Sequence, residues 1–303
     1  MSHSIIYIQS FPRSGSTVFA NVLSSAINAP HIGEIDKLWI KKLDDHHKCG
    51  CGDSILECKH WNALLKRITN SNGKPLKDLV NARYYEELHT SRVKFESNTI
   101  SYKYISNKES DRIKEVYVEL FRSLEADRII DSSKSFSLYN FLREESFVEI
   151  KGILIIRDIR GVLNSRLHKT FSRNKYNLNP ISTFIHAIKD IIDWNIFYLK
   201  AYKRRNEYLI VKYEEFSKRP NYVLEKISHY LGMNYRINET NSFTLPANHT
   251  FWGNRNRIGA TAISIKEDFK WKSKLPLLYK ITAIIISFPV MMLYAKLQDD
   301  GRI

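Results

Sequence analysis

The first apolar run of the chain is followed directly by a turn that contains one arginine, one glycine and three hydroxyl residues. The run is IIYI at positions 5–8, and its β-branched and aromatic residues predict a buried strand. Beyond the turn, apolar residues at helical spacing over 18–27 predict a helix. A strand, a tight turn and a helix in this order aim backbone N–H groups and a helix N-terminus at an anion. The turn therefore predicts a phosphate- or sulfate-binding loop.

This loop differs from the Walker loop of nucleotide hydrolases. A Walker loop reads GxxxxGK[ST], and the segment FPRSGST at 11–17 has neither its first glycine nor its lysine. Arg13 lies inside the loop instead, three residues before Ser16. We therefore expect the loop to bind a nucleotide phosphate or a sulfate, and we do not expect ATP hydrolysis.

A second basic motif follows a later apolar run. GILIIRD at 152–158 is almost continuously apolar until Arg157, which is typical of a central parallel strand. A helix pattern follows, and Ser165 lies eight residues after Arg157. Because the planar fork of arginine meets phosphate oxygens in pairs, Arg157 is a candidate phosphate ligand.

Two further candidates follow predicted strands or loops between these motifs. Glu34 comes directly after HIG at 31–33, and the alternative to a catalytic role is a surface or capping carboxylate. Lys134 closes the segment DSSK after a predicted strand that buries Ile129 and Ile130. Since ligands of open α/β sheets gather at the carboxyl ends of strands, we expect DSSK to face the same crevice as the loop. A helix N-cap at Ser133 or Ser135 is compatible with this role.

Both basic motifs resemble those of one enzyme family. FPRSGST resembles the 5′-phosphosulfate loop of P-loop-type sulfotransferases that use 3′-phosphoadenosine 5′-phosphosulfate (PAPS), and RDxRxxxxS at 157–165 resembles their 3′-phosphate site. The motifs are most similar to those of carbohydrate, tyrosylprotein-like and bacterial sulfotransferases, and the resemblance covers nearly the whole chain. It implies transfer of the sulfuryl group from PAPS to an acceptor hydroxyl, with adenosine 3′,5′-bisphosphate as the product.

The resemblance also implies roles for individual residues. Arg13 would hold the oxygen that bridges phosphate and sulfate, Lys134 would contact the transferring group, and Glu34 would be the general base. Arg157 and Ser165 would bind the 3′-phosphate. The other implied nucleotide contacts are Ser14, Gly15, Ser16 and Thr17 at the 5′-phosphate. Arg255 and Arg257 would bind the 3′-phosphate with Arg157. No metal is expected in catalysis, because arginines and loop amides replace the magnesium of kinases.

The composition restricts the partners and the compartment. A net charge of +15 fits an anionic ligand, an anionic membrane surface or nucleic acid. Basic residues are spread through the chain without an arginine-rich tract, so no nucleic-acid partner is expected. No apolar h-region precedes the first strand, and the three cysteines all lie between 49 and 58. We therefore expect no signal peptide, no disulfide framework and a cytoplasmic location.

The cysteine-rich stretch HHKCGCGDSILECKHW covers residues 46–61. Cys49, Cys51 and Cys58, with histidines close by in sequence, could supply a zinc site. Their C-x-C spacing differs from the C-x₂-C pairs of the common zinc modules. Some bacterial sulfotransferases resemble this chain here, which favours a structural element on the acceptor side. We assign no metal, and zinc stays the alternative.

A long uncharged segment lies near the C-terminal end of the sequence. The segment 281–295 has fifteen residues without a charge, which as a helix would span roughly 22 Å, less than the ~30 Å of a bilayer core. Pro289 would also kink it. We therefore expect an apolar helix over 275–297 that packs on the domain or makes peripheral membrane contact.

The predicted fold is one α/β sulfotransferase domain over 1–303. It contains a P-loop-type parallel sheet of four to five strands flanked by helices, and a helical acceptor-side insertion over 35–125. The expected acceptor is a hydroxyl of a glycan, a glycolipid or a small metabolite. Two alternatives remain open, namely a P-loop nucleotide or small-molecule kinase and a non-enzymatic basic binding module.

Overall fold

The structure is a computed structural model of the chain. It describes residues 3–40, 47–69, 95–96, 99–100, 107–172, 179–235, 242–245, 248–254, 257–259 and 261–299.

Strands and helices alternate along most of the described chain. The strands are β1 (Ser4–Ser10), β2 (His31–Gly33), β3 (Phe95–Glu96), β4 (Thr99–Ile100), β5 (Arg128–Asp131), β6 (Glu149–Ile156), β7 (Tyr208–Lys212), β8 (Ser242–Thr244) and β9 (Ala262–Ser264). The helices are α1 (Ser16–Ile27), α2 (Lys37–Ile40), α3 (Lys59–Thr69), α4 (Asn107–Ser123), α5 (Phe136–Glu144), α6 (Ile159–Ser172), α7 (Pro180–Lys203), α8 (Tyr213–Lys218), α9 (Pro220–Leu231), α10 (Lys270–Lys274) and α11 (Leu277–Asp299). A 3₁₀ turn, Arg205–Glu207, precedes β7.

Five of these strands form a parallel sheet in the order β2-β5-β1-β6-β7. In the register, Ile5 pairs with Ile129 and Ile153 pairs with Leu209. All seven residues of β1 are buried, because side chains on both faces of a parallel strand pack against covering helices. The predicted parallel sheet flanked by helices is confirmed, with five strands.

By internal contacts the chain divides into two compact units. The first unit comprises residues 1–9, 17–151 and 242–263, and the second comprises 10–16, 152–241 and 264–303. The single domain over 1–303 stays a prediction.

The segment between 35 and 125 lies in the first unit. Its described part contains α2, α3 and α4 and also the antiparallel hairpin β3–β4, which the sequence analysis did not predict. Helix α4 buries Val116, Tyr117, Leu120 and Phe121, the apolar stripe that its spacing predicts, and it packs on α3.

Helix α11 in the second unit is longer than the uncharged run from which its length was predicted. It has 23 residues, or about 34 Å at 1.5 Å per residue, so by length and composition it could cross a membrane. One side nevertheless packs on α7. Tyr294 Oη donates to the carbonyl of Tyr198 at 2.9 Å, and Asn195 Nδ2 donates to Ser287 Oγ at 3.0 Å. Ala283, Val290 and Leu297 are also buried.

Candidate active site

The loop after β1 belongs to the second unit up to Ser16 and has two residues with left-handed backbone. Arg13 has φ +75° and Gly15 has φ +85°, with Ser14 between them donating its N–H to the Phe11 carbonyl at 3.2 Å. Left-handed backbone is uncommon for an arginine and marks a position that its surroundings determine. Successive N–H groups in such turns make anion-binding concavities, as the sequence predicts for this loop.

Tyr213 connects the loop to the second basic motif. A Cβ added at Gly15 would lie 2.1 Å from Tyr213 Cε2, so the ring leaves room for glycine alone. The same ring lies 4.6 Å from the Arg157 guanidinium carbon, a cation–π contact. Burial raises the pKa of the Tyr213 hydroxyl. Tyr213 was not among the predicted site residues, although it closes the apolar run YLIVKY at 208–213, which has the composition of a buried strand.

Arg157, Arg13 and Ser165 lie together in the second unit. Arg157 Nη1 donates to the Arg13 carbonyl at 2.9 Å, and Arg13 Nε donates to Ser165 Oγ at 2.9 Å. Arg157 Nη2 donates to Asp268 Oδ2 at 2.8 Å, and the Arg157 side chain is only 7% exposed. One residue predicted to bind the phosphosulfate, Arg13, and two predicted to bind the 3′-phosphate, Arg157 and Ser165, therefore form one hydrogen-bonded group.

The residues after Arg157 are fixed by their own contacts. The Asp158 N–H donates to Glu214 Oε1 at 3.0 Å, and burial raises the pKa of Glu214. Arg160 pairs with the Asp158 carboxylate and lies 4.1 Å from the centre of the Trp271 ring. These contacts position the start of α6, so Glu214 acts through the Asp158 backbone.

Glu34 and Lys134 form an ion pair in the first unit, and each side chain is 14% exposed. Lys134 follows β5 with φ +66°, and its carbonyl accepts a hydrogen bond from Gln9 Nε2 at 2.8 Å. The Glu34 N–H donates to the Trp252 carbonyl at 3.1 Å. Both side chains are thus positioned through their backbones, and Lys134 offsets the negative charge that Glu34 carries. Ser135 caps α5, as the sequence predicts.

A neutral histidine lies beside this ion pair. His31 Nδ1 hydrogen-bonds with Asn21 Oδ1 at 2.7 Å, and Nε2 hydrogen-bonds with Ser132 Oγ at 2.9 Å. Burial, together with the positive charges of Lys134 and Arg257, lowers the pKa of His31 from 6.5 to about 3. His31 therefore carries no charge at neutral pH and ties β2 to β5 and α1.

Two buried carboxyl groups continue this network. Asp131 accepts hydrogen bonds from Tyr117 Oη at 2.5 Å and from the Ser133 N–H at 2.8 Å, while the Asp36 N–H donates to Ser133 Oγ at 3.1 Å. Burial raises the pKa of Asp131 to about 7 and that of Asp36 to about 6, although Lys37 opposes the shift of Asp36. The charge of Glu34 adds to the shift of Asp36.

Arg257 is a buried cation with unused donors. Its Nη2 donates to the carbonyls of Lys48 at 2.7 Å and Phe251 at 3.3 Å. Its Nε and Nη1 are buried and have no hydrogen-bond partner among the described residues. A buried charge without partners is costly, so these two donors fit an anionic ligand.

Arg257 lies close to the end of the phosphate loop. A Cβ added at Gly253 would be 3.4 Å from both Arg257 Cδ and Thr17 Oγ1, and the Asn254 N–H donates to Thr17 Oγ1 at 3.5 Å. Arg257 was predicted to bind the 3′-phosphate together with Arg157. The structure places Arg257 beside Thr17 in the first unit, whereas Arg157 belongs to the second.

Arg255, the other arginine assigned to the 3′-phosphate, lies outside the described residues.

Comparison with known proteins connects these motifs to one family. The family profile described as the sulfotransferase domain matches residues 4–250. Among solved structures, the sulfotransferase domain from the Synechococcus PCC 7002 olefin synthase is 21% identical, with a TM-score of 0.52, over 95% of this chain and 94% of that one. The sulfotransferase domain from the curacin biosynthetic pathway is 15% identical, with a TM-score of 0.49, over 96% and 98%. No curated protein matches the chain.

Proposed function

The chain belongs to the sulfotransferase domain family, and we propose that it transfers the sulfuryl group of PAPS to a hydroxyl of a glycan, a glycolipid or a small metabolite. Membership in this family supports sulfuryl transfer, and it supports PAPS as the sulfuryl donor, because enzymes of the family use PAPS. The observation that carries the assignment of the donor site is the hydrogen-bonded group of Arg13, Arg157 and Ser165. Its cationic and hydroxyl donors suit the two anionic ends of a bisphosphorylated nucleotide.

On the donor side, Arg13 and Arg157 supply the positive charge. We assign the 3′-phosphate to Arg157 and Ser165, and the 5′-phosphosulfate to Arg13 with Ser14, Gly15, Ser16 and Thr17. Arg257 is assigned to the same end as Thr17, because its unused donors lie near the Thr17 hydroxyl. Such donors stabilise the charge that develops on the leaving oxygen.

On the acceptor side, Glu34 is assigned as the general base. The acceptor oxygen forms a bond to sulfur while the bond from sulfur to the bridging oxygen breaks. The acceptor proton passes to Glu34, and adenosine 3′,5′-bisphosphate leaves with the electron pair of the broken bond. Lys134 orients the carboxylate and supplies positive charge toward the sulfuryl group. In this proposal the step depends on the positioning of the reactants and on electrostatic stabilisation, and a metal has no role in it.

We also propose that the enzyme works in the cytoplasm at a membrane surface. Helix α11 exposes Leu277, Ile281, Ile285, Phe288 and Met292, and α7 exposes Ile181, Ile185, Ile192, Ile196 and Leu199. Lys189, Lys200, Lys272, Lys274 and Lys296 on or near these helices are exposed as well. Apolar residues flanked by lysines suit the interface of an anionic bilayer, where a glycolipid acceptor is accessible.

Nucleotide titration tests the donor assignment. We expect adenosine 3′,5′-bisphosphate to bind in isothermal titration calorimetry and ATP not to bind. Failure of the bisphosphate to bind would overturn the proposal, and tight ATP binding would favour the kinase alternative. Incubation with ³⁵S-labelled PAPS and panels of glycans, glycolipids and small hydroxylated metabolites then identifies the acceptor class by transfer of label.

Vesicle co-sedimentation tests the membrane assignment separately. We expect the protein to pellet with phosphatidylserine vesicles and much less with phosphatidylcholine vesicles. The double variant Ile285→Ser, Phe288→Ser should lose this binding. Val118→Ser, which changes an exposed apolar residue of α4, is the matched control and should retain it. Unchanged binding by the double variant would contradict the assignment.

A further inference from the structure

Four metal-ligating side chains from distant parts of the sequence converge in the first unit. Cys49, Cys51, Cys58 and His249 place their sulfur and nitrogen atoms all within 4.8 Å of one another. His249 Nδ1 lies 3.4 Å from Cys58 Sγ and 3.7 Å from Cys49 Sγ. The histidine is 191 positions from Cys58 in sequence, so only the fold brings it to the cysteines.

We propose that Cys49, Cys51, Cys58 and His249 bind one structural zinc ion with tetrahedral geometry.

The distances agree with those that a zinc ion requires. With Zn–S bonds of about 2.3 Å and a Zn–N bond of about 2.0–2.1 Å, a tetrahedral site places sulfur about 3.6 Å from nitrogen. The observed separations of 3.4 and 3.7 Å from His249 Nδ1 lie on either side of this value. A disulfide would instead bring two sulfur atoms to about 2.05 Å, and all three cysteines are free thiols.

The donor set is that of a closed structural site. Three thiolates and one imidazole are soft ligands that select zinc over magnesium or calcium. Four protein ligands fill a tetrahedron and leave no position for water or substrate, in contrast to catalytic zinc sites. The proposed ion therefore stabilises the fold and is separate from the sulfuryl-transfer step.

Local backbone contacts hold the ligands in place. The Gly52 N–H donates to the Cys49 carbonyl at 3.0 Å, which closes a tight turn around Cys51. The Cys58 N–H donates to the Ser54 carbonyl at 2.8 Å just before α3 begins. Such a turn lets a C-x-C pair supply two ligands, the arrangement that its spacing disfavoured in the sequence.

His249 is held from the other side. Trp61 Nε1 donates to the His249 carbonyl at 2.8 Å, and the Gly50 N–H donates to the Thr250 carbonyl at 3.0 Å. The cysteine turn and the segment 248–254 are therefore already joined by hydrogen bonds. A zinc ion would add a covalent-strength link between them.

The segment that zinc would anchor supports two residues of the candidate active site. The Phe251 N–H donates to the Ile32 carbonyl at 2.8 Å, and the Trp252 carbonyl accepts from the Glu34 N–H at 3.1 Å. Arg257 Nη2 donates to the Lys48 carbonyl at the edge of the cysteine turn. Loss of the ion should thus loosen the backbone of Glu34 and the side chain of Arg257.

Metal analysis of the purified full-length chain tests the proposal. Inductively coupled plasma mass spectrometry should find one zinc ion per chain after gel filtration. Chelation should lower the thermal unfolding midpoint by several degrees, and added Zn²⁺ should restore it, because binding to the folded state stabilises it. Co²⁺ added to the chelated protein should give the visible absorption bands of a tetrahedral thiolate site.

Matched variants identify the ligands. Cys58→Ser and His249→Ala should each reduce bound zinc at least tenfold, whereas His229→Ala, a change at an exposed histidine of α9, should leave it unchanged. If either variant fails to fold, the Co²⁺ spectrum of the wild-type chain decides. Three freely titratable thiols without bound zinc, or zinc that persists in both ligand variants, would overturn the proposal.

Discussion

Arg13 donates a hydrogen bond from Nε to Ser165 Oγ across 152 positions of sequence, at 2.9 Å. One residue belongs to the loop after β1 and the other to the helix after β6, and each was assigned to a different end of the same nucleotide. A bound 3′-phosphate would compete for the Ser165 hydroxyl. We therefore expect donor binding to exchange this contact and to turn the Arg13 guanidinium toward the 5′-phosphosulfate.

Replacing Ser165 measures the contribution of that hydroxyl. Ser165→Ala should raise the Kd of adenosine 3′,5′-bisphosphate at least tenfold, since a hydrogen bond to a charged group contributes about 1.5–3 kcal/mol. Isothermal titration calorimetry measures the change. Ser264→Ala, at an exposed serine of β9 in the same unit, should bind as the wild type does. An unchanged Kd in Ser165→Ala would mean that Ser165 only holds Arg13.

Arg157→Lys tests whether paired contact with phosphate matters beyond charge. The lysine keeps the positive charge but loses the planar fork and the stacking on Tyr213. We expect bisphosphate binding to weaken at least tenfold, because the geometry of the contact changes while the charge stays the same. Arg219→Lys, at a partly exposed arginine before α9, should bind normally. Equal affinity of both variants would remove Arg157 from the 3′-phosphate site.

Glu34→Gln separates catalysis from nucleotide binding. The amide cannot accept the acceptor proton but keeps the shape of the side chain. Once an acceptor is known, turnover should fall by at least a hundredfold while the Kd of the bisphosphate changes less than threefold. Glu57→Gln, at an exposed glutamate, is the control. Retained turnover in Glu34→Gln would refute the assignment of the base.

The sheet and the basic motifs could be predicted because their signals are local. IIYI and GILII are continuous apolar runs, and burial on both faces of β1 and β6 requires that composition. The loop and Arg157 follow those runs directly, so strand assignment was sufficient to place each of them at a strand end.

The partners of these residues could not be predicted, because only folding brings them close. Asp268 is 111 positions from Arg157 and His249 is 200 from Cys49, and no spacing rule covers such pairs. Among the described residues, the histidine that groups with the three cysteines is His249 and not one of their neighbours in sequence. The burial of the Arg257 side chain could not be predicted for the same reason, since an arginine in a loop is normally exposed.

Gly15→Ala tests the fit between the loop and Tyr213. The new Cβ would meet the ring at 2.1 Å and would also stand at φ +85°, so the loop must shift. We expect loss of bisphosphate binding by at least tenfold, measured by calorimetry. Gly232→Ala is the control, because it has φ +64° but open space around the new atom. If both variants bind normally, the close approach to Tyr213 does not shape the phosphate loop.

Asp131→Asn tests the buried carboxyl network through the pH dependence of stability. Burial raises the folded-state pKa of Asp131 from 3.8 to about 7, so between these values the folded protein binds more protons than the unfolded chain. Stability from this group is therefore present below pH 4 and is lost as the pH rises toward 7. The asparagine does not titrate.

The urea midpoint of Asp131→Asn should accordingly rise relative to the wild type as the pH increases from about 4 to about 7. Tyr117 and Ser133 can both hydrogen-bond with an amide at this position, so the variant retains its partners. Glu57→Gln, at an exposed carboxylate, should keep a constant difference from the wild type. A constant difference for Asp131→Asn as well would mean that Asp131 is ionised throughout this range, and that its hydrogen bonds outweigh its burial.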